Sequence, residues 1–173
     1  MTVLVGYATR HGSTRDIAER IAVRLTDQGL PAYAYALDSL RGARGYDAFV
    51  LGSAIHDTAW LPEAVAFARR HPSTLTACPV WLFSTGLPMR TVGRWWQTGA
   101  REPKEIAEFA MLIHPLEHQL FAGVFQRDHT SLFGHLLFRA AGGEYGDHRD
   151  WVQIDGWADR IARRLRAGTP LTR

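Results

Sequence analysis

Apolar and polar positions along the chain follow two rhythms: short continuous apolar runs, and longer stretches with apolar residues about every fourth position. Thr2–Ala8 is a run of the first kind, suited to a strand buried on both faces. From Ser13 the rhythm turns helical. Ile17, Ile21 and Leu25 recur every fourth residue with Ala18 and Ala22 beside them, and Gly29 stands where a left-handed C-terminal cap is easiest. Ala32–Leu37 reads as a weaker strand and Asp47–Ser53 as a buried one. Pro62–His71 reads as the following helix, ended before Pro72. Pro79–Ser84 is a further buried strand, its proline tolerable at the first position. Lys104–Leu112 predicts a short helix, Gln119–Phe125 a strand and Trp151–Leu165 a last amphipathic helix. Strands and helices in alternation predict one α/β domain over residues 1–173, with a doubly wound, five-stranded parallel sheet.

Gln126–Asp150 fits this scheme least. A compact domain needs only a few residues between its last strand and last helix, so an insertion of this length reads as a functional lid or a disordered loop. Leu132, Phe133, Leu136, Leu137 and Phe138 are too apolar for a solvated linker, and Gly142-Gly143 breaks any helix there. Residues 132–138 are too short to span a bilayer. They read first as a lid or a homodimer interface, and second as a peripheral contact with a membrane surface.

Composition narrows the class only slightly. The chain has 173 residues, 46% hydrophobic and 21% charged, enough for one buried core in an ordinary globular protein. Met1–Val5 leads directly into the first strand pattern without the order of a secretory leader, so a cytoplasmic location is expected. Cys78 is the lone cysteine and reads as a core residue at a strand edge. The net charge is +3, and Lys104 is the only lysine among the basic residues. This mild balance permits an anionic cofactor or substrate. No long basic run, zinc spacing or aromatic-basic strand motif is present, which disfavours a nucleic-acid partner. His11, His56, His129 and His135 share no metal-ligand spacing, so no metal site is expected, and each reads more readily as a loop residue than as a proton-transfer group.

The chemistry concentrates in Thr9-Arg10-His11-Gly12-Ser13-Thr14, between the first strand and the first helix. Open α/β sheets bind ligands beyond the carboxyl ends of their strands, and a helix N-terminus offers free N–H groups and a positive dipole end to a phosphate. Thr9, Ser13 and Thr14 add hydroxyls, and Gly12 lets the backbone close around an anion. Ser13 and Asp16 could instead form a capping box, but capping leaves Thr9, Gly12 and Thr14 unexplained. The loop has neither the G-x-x-x-x-G-K-[ST] pattern of a nucleoside-triphosphate loop nor the G-x-G-x-x-G of a dinucleotide fold. A hydroxyl-rich loop without lysine suits a phosphate monoester such as that of FMN.

The pattern T-x-x-G-x-T after the first strand resembles the flavodoxin phosphate loop. Ala8–Ala18 as a whole is similar to one branch of that family, the menaquinone-dependent protoporphyrinogen dehydrogenases. The similarity continues in Val50–Ile55, Phe121-Ala122-Gly123 and Gly142-Gly143-Glu144, and a long insertion after the last strand is itself a feature of that branch. The resemblance implies strand order 2-1-3-4-5 with helices on both faces, and FMN as cofactor. It implies two further loops at the flavin ring, Ser53-Ala54-Ile55-His56-Asp57 and Ser84-Thr85-Gly86-Leu87-Pro88, which would meet the ring through backbone groups. Trp60 would either stack on the ring or pack on the sheet. His56-Asp57 and Asp128–Ser131 depart from the basic, aromatic-rich pattern of the branch, which thins the positive charge that porphyrin propionates would need. Arg10, Arg139 and Arg149 are the remaining cationic candidates, and Trp95-Trp96 reads as packing. The expected activity is an FMN-dependent oxidation of a porphyrinogen-like substrate with electrons passed to a quinone or similar acceptor. The alternative is a flavodoxin-type carrier serving a redox protein partner, which the cover-like insertion and the basic balance disfavour.

Overall fold

The apolar runs Thr2–Ala8, Asp47–Ser53 and Pro79–Ser84 become central strands whose alternate residues enter two separate cores. A computed structural model describes residues 1–86, 103–125 and 145–168. Parallel strands β1 (Val3–Ala8), β2 (Ala32–Ala36), β3 (Ala48–His56), β5 (Val80–Gly86) and β6 (Glu117–Ala122) form one sheet. Their order is β2-β1-β3-β5-β6, and β4 (Ala59–Trp60) pairs antiparallel with β3. With β4 set aside, this is the expected 2-1-3-4-5 order. Val3, Val5, Val50, Trp81 and Phe83 face α1 (Ser13–Asp27) and α5 (Trp151–Arg166). Leu4, Phe49, Leu51 and Leu82 face α2 (Pro62–Arg70), α3 (Pro72–Thr76) and α4 (Lys104–Leu112). A strand buried on both faces cannot alternate apolar with polar residues, which is why these segments read as continuous apolar runs.

Local chemistry sets the ends of the elements. Gly29 takes φ +81° just beyond α1, where a side chain would be strained. Pro62 opens α2 and Pro72 opens α3, so the predicted single helix ends at Arg70 and a second short one follows. Asp150 caps α5, its carboxylate accepting the Gln153 N–H at 3.0 Å. Cys78 is half-buried and burial pushes its thiol pKa up, in keeping with a packing role.

Three segments depart from the expected boundaries. β3 runs past Ser53 to His56 and reverses through Asp57 and Thr58 into β4, so the first predicted ring loop is largely a hairpin. The predicted strand Gln119–Phe125 is two strands. β6 starts earlier, at Glu117, and ends at Ala122, while β7 (Val124–Phe125) leaves the sheet to pair with β8 (Gly146–Asp147). The break falls at Gly123, whose N–H donates to the Gly86 carbonyl at 2.9 Å. Of the predicted insertion, residues 145–150 carry β8 and the cap of α5, while 126–144 lie outside the described residues, together with the candidates Arg139, residues 128–131, residues 132–138 and Gly142-Gly143-Glu144. Leu87, Pro88, Trp95 and Trp96 also lie outside them.

A ladder of ion pairs binds α5 to α1. Arg20 donates twice to Asp155 at 2.7 and 2.6 Å, and Arg24 twice to Asp159 at 2.8 and 2.9 Å. One turn before Arg20, Asp16 accepts from Arg149 at 2.8 Å. Residues 16, 20 and 24 recur every fourth position, so they share one stripe of α1. Among the described residues no helix is long and apolar enough to cross a membrane.

Candidate functional site

Three of the predicted segments emerge side by side at the carboxyl edge of the sheet. Ala8 of β1 pairs in register with Ser53 of β3, and Ser53 with Ser84 of β5. From β1 the chain goes to β2 on one side and the sheet continues through β3 on the other, so strand order reverses between β1 and β3. Ligands bind at such a reversal because the loops after the two strands diverge and leave a crevice. Thr9–Thr14 follows β1 there, beside Ser53–His56 and Ser84–Gly86.

The loop Thr9–Thr14 is held from within. The Thr9 hydroxyl accepts the Gly12 N–H at 3.0 Å, and Gly12 takes φ +92°, a left-handed conformation that turns the chain into α1. Gly12 is therefore the cap residue, and having no side chain it satisfies none of the helix's first N–H groups. Ser13 is already the first helical residue, so the capping-box alternative does not describe this turn. Thr14 is fully buried, and its hydroxyl has no hydrogen-bond partner among the described residues. Thr85 is also buried, again with an unpartnered hydroxyl. A buried hydroxyl left unpaired costs about 1–3 kcal/mol. Two of them at one edge of the sheet, beside a helix end whose cap residue makes no side-chain hydrogen bond, form a candidate cradle rich in donors. Arg10 and His11 are exposed on its rim.

Gly123 closes the side of this cradle. A β-carbon there would stand 2.8 Å from Thr85 Cγ2 and 3.3 Å from Ser13 Oγ, so only glycine lets the end of β6 lie between the two loops. The Gly123 carbonyl then accepts the His148 N–H at 3.2 Å, bringing the chain before α5 to the same edge. Arg149 follows. Its guanidinium reaches Asp16 at 2.8 Å and Asp147 at 2.8 Å, and lies 4.7 Å from the centre of the Trp151 ring. Its bonds to Asp147 hold that carboxyl below its ordinary pKa of 3.8.

The two serines of the ring loops turn inward. Ser53 Oγ accepts the Leu61 N–H at 2.9 Å and lies 2.9 Å from the Ala54 carbonyl, to which it donates. Ser84 Oγ accepts the Trp60 indole N–H at 2.7 Å and meets His118 Nε2 at 2.8 Å. Their side chains are spent within the fold, which leaves the backbone of these segments to face a ligand. Ile55 is half-buried against Gly86, and Ala54 pairs with Thr85. His56 is exposed, 3.5 Å from Asp57. Trp60 is 4% exposed and edge-on to Phe109, so it takes the packing role of its two expected ones. Sequence reasoning did not find the roles of Ser84, Glu105 (which accepts the Trp60 backbone N–H), His118 or the Asp16–Arg149 pair. For Gly123 a signal existed in Phe121-Ala122-Gly123. Among the described residues no group of three or more His, Cys, Asp or Glu could hold a metal ion.

A family model described as a flavodoxin domain matches residues 4–141. The chain belongs to this flavodoxin family. Within the family it is 25% identical over 174 residues to the Escherichia coli K12 protein named protoporphyrinogen IX dehydrogenase [quinone], covering 94% of this chain and 95% of that one. Among solved structures, it superimposes on a cysteine-to-serine variant of a flavodoxin from Pseudomonas aeruginosa with TM-score 0.63 at 14% identity, over 96% and 99% of the two chains. An archaeal flavodoxin gives 0.61 at 13% identity, over 96% and 99%. Rubredoxin oxygen:oxidoreductase from Desulfovibrio gigas gives 0.64 at 15%, the match spanning 96% of this chain and 36% of that one. At such identities these structures establish the flavodoxin fold and nothing finer.

Proposed function

We propose that this flavodoxin-family chain is an FMN-dependent oxidoreductase that oxidises a porphyrinogen-like substrate and passes the electrons to a quinone or similar acceptor. The observation that carries the cofactor is the buried, unpartnered Thr14 hydroxyl in a helix turn whose cap residue has no side chain. A phosphate monoester fits there. It would take hydrogen bonds from Thr14 and the first N–H groups of α1, with Ser13 as a further donor and Thr9 and Gly12 shaping the loop. Ser53–His56 and Ser84–Leu87 would border the isoalloxazine. The chemistry supplied by bound FMN is reversible acceptance of electrons with a hydride or proton. Gly123 and the hairpin after β3 hold the loops in place around it.

The substrate reading is supported by the similarity to the E. coli dehydrogenase, which extends over 94% of this chain and 95% of that one. Residues 132–138 remain the proposed lid, dimer contact or membrane contact.

The test is an absorbance titration of the purified chain with FMN, followed by anaerobic addition of protoporphyrinogen and of a menaquinone analogue separately. Bound flavin that is reduced by the porphyrinogen and reoxidised by the quinone supports the whole reading. Bound flavin without that turnover moves the assignment to an electron carrier, and no flavin uptake overturns it.

A further inference from the structure

Asp16 presents a difficulty for any phosphate at the N-terminus of α1. It lies in the first turn of that helix, two residues after Thr14, where its carboxylate draws on the same positive helix end that an anionic ligand would use. Its charge also opposes a phosphate directly. Two arginines answer it. Arg15 reaches Asp16 Oδ1 at 3.1 Å, but it is half exposed, screened by solvent and shared with Glu19. Arg149 reaches Oδ2 at 2.8 Å with a side chain only 12% exposed, so its charge is less screened than that of Arg15.

The path that delivers Arg149 runs through the candidate site itself. Ser13 lies against Gly123, Gly123 accepts the His148 N–H, and Arg149 returns to α1 at Asp16. Asp147 and the Trp151 ring fix the guanidinium on its other sides. Among the described residues α5 is tied to α1 independently of Arg149, by Arg20–Asp155 and Arg24–Asp159.

Resting on the FMN reading above, we infer that Arg149 is a positioning residue for the phosphate site: it neutralises and immobilises the Asp16 carboxylate, so that the first turn of α1 can accept a phosphate dianion. Arg149 acts through Asp16 and needs no contact with the phosphate. The inference therefore makes opposite demands on two substitutions that break the same ion pair.

The experiment compares FMN and riboflavin binding, by flavin fluorescence quenching, in the wild-type chain and in R149Q, R149K, D16N and the D16N/R149Q double variant, at low and at moderate salt. Riboflavin has the ring without the phosphate. Arg149→Gln is expected to weaken FMN roughly 3- to 30-fold at low salt, less at moderate salt, and to leave riboflavin unchanged. Asp16→Asn is expected to leave FMN affinity unchanged or tighter, R149K to keep most of it, and the double variant to recover it. A purely structural salt bridge would weaken FMN in D16N as much as in R149Q, and riboflavin with it, which overturns the inference. Loss in R149Q that D16N does not rescue also overturns it, in favour of a direct phosphate contact. So does the absence of any loss in a folded R149Q. If the wild-type chain binds neither flavin, the FMN reading itself fails. If it binds FMN while the variants behave otherwise than stated, only the role of Arg149 fails.

Discussion

Trp60 donates its indole N–H to Ser84 Oγ at 2.7 Å, linking the hairpin after β3 to the carboxyl end of β5. The Trp60 backbone N–H goes to Glu105 at 3.3 Å, so the hairpin is fastened to β5 and to α4, while the Leu61 N–H returns to Ser53 of β3 at 2.9 Å. A phenylalanine at position 60 would keep most of the apolar contact with Phe109 but leave Ser84 with one partner fewer. Trp60→Phe is expected to cost about 1–3 kcal/mol of stability, read as a lower urea midpoint at unchanged m-value. Because the ring is buried rather than facing the crevice, FMN affinity is expected to fall by far less than stacking on the flavin would require.

The turn of that hairpin is strained. Asp57 and Thr58 have φ of 50° and 63°, and a β-branched residue is seldom found in the left-handed region. Such two-residue turns favour Asn-Gly or Asp-Gly, because both positions need positive φ. Thr58→Gly is expected to stabilise the chain by about 1 kcal/mol, the relief of left-handed strain exceeding the added chain entropy of glycine. A thermal melt that shows a lower midpoint instead would mean that the threonine side chain holds the turn.

The legible parts of this fold are those whose cause is local. Apolar runs marked the strands, Gly29 the end of α1 and Pro62 the start of α2, because each acts through its own backbone or its immediate neighbours. The start of β6 was hidden because Glu117 and His118 do not look like strand residues. They sit in the sheet because Glu117 accepts the Trp157 indole N–H at 3.0 Å and His118 meets Ser84, partners distant in sequence. The hairpin was hidden because Asp-Thr is a poor turn signal. Strand order came from the family resemblance, since periodicity carries no information about which strands pair. At the site, the residue types of Thr9–Thr14 suggested the anion loop that is proposed above. The start of α1 at Ser13 was legible from the helical rhythm, but which hydroxyl the fold leaves unpartnered among the described residues was not, because that depends on neighbours distant in sequence.

The α1–α5 ladder makes stability depend on pH and salt. Asp155 and Asp159 are held below their ordinary pKa of 3.8 chiefly by hydrogen bonds from Arg20 and Arg24. A carboxyl with a depressed folded pKa contributes stability that is complete above the unfolded value and is lost as pH falls through the folded one. His71, lowered from 6.5 chiefly by burial, acts in the same direction but earlier, since the unfolded chain takes up its proton first. Unfolding followed by tryptophan fluorescence is expected to show a shallow loss of stability below about pH 6.5 and a steeper one below about pH 4. Removing the carboxylates in a D155N/D159N variant is expected to shrink the second phase, leaving the part due to Asp147, and to reduce the destabilising effect of added salt. An unchanged acid limb would place the labile carboxylates elsewhere.

Thr14 separates the stability of the empty chain from its affinity for a phosphate. Among the described residues its buried hydroxyl has no partner, so exchanging it for a methyl group of the same shape removes an unmet donor and is expected to be neutral or stabilising by up to about 1 kcal/mol. With a phosphate bound, the same hydroxyl would donate to a charged acceptor, a bond contributing about 1.5–3 kcal/mol. Thr14→Val is thus expected to raise or preserve the melting temperature of the flavin-free chain while weakening FMN about 10- to 150-fold. Thr14→Ser, which keeps the donor but loses a packed methyl, is expected to do the reverse: lower stability and largely retained FMN affinity. Riboflavin is the control, since a ligand without the phosphate should distinguish the three chains only slightly. If Thr14→Val lowers both stability and FMN affinity, the hydroxyl is part of the fold and not of a phosphate cradle. Opposite signs in the two variants are what a site built to receive an anion requires.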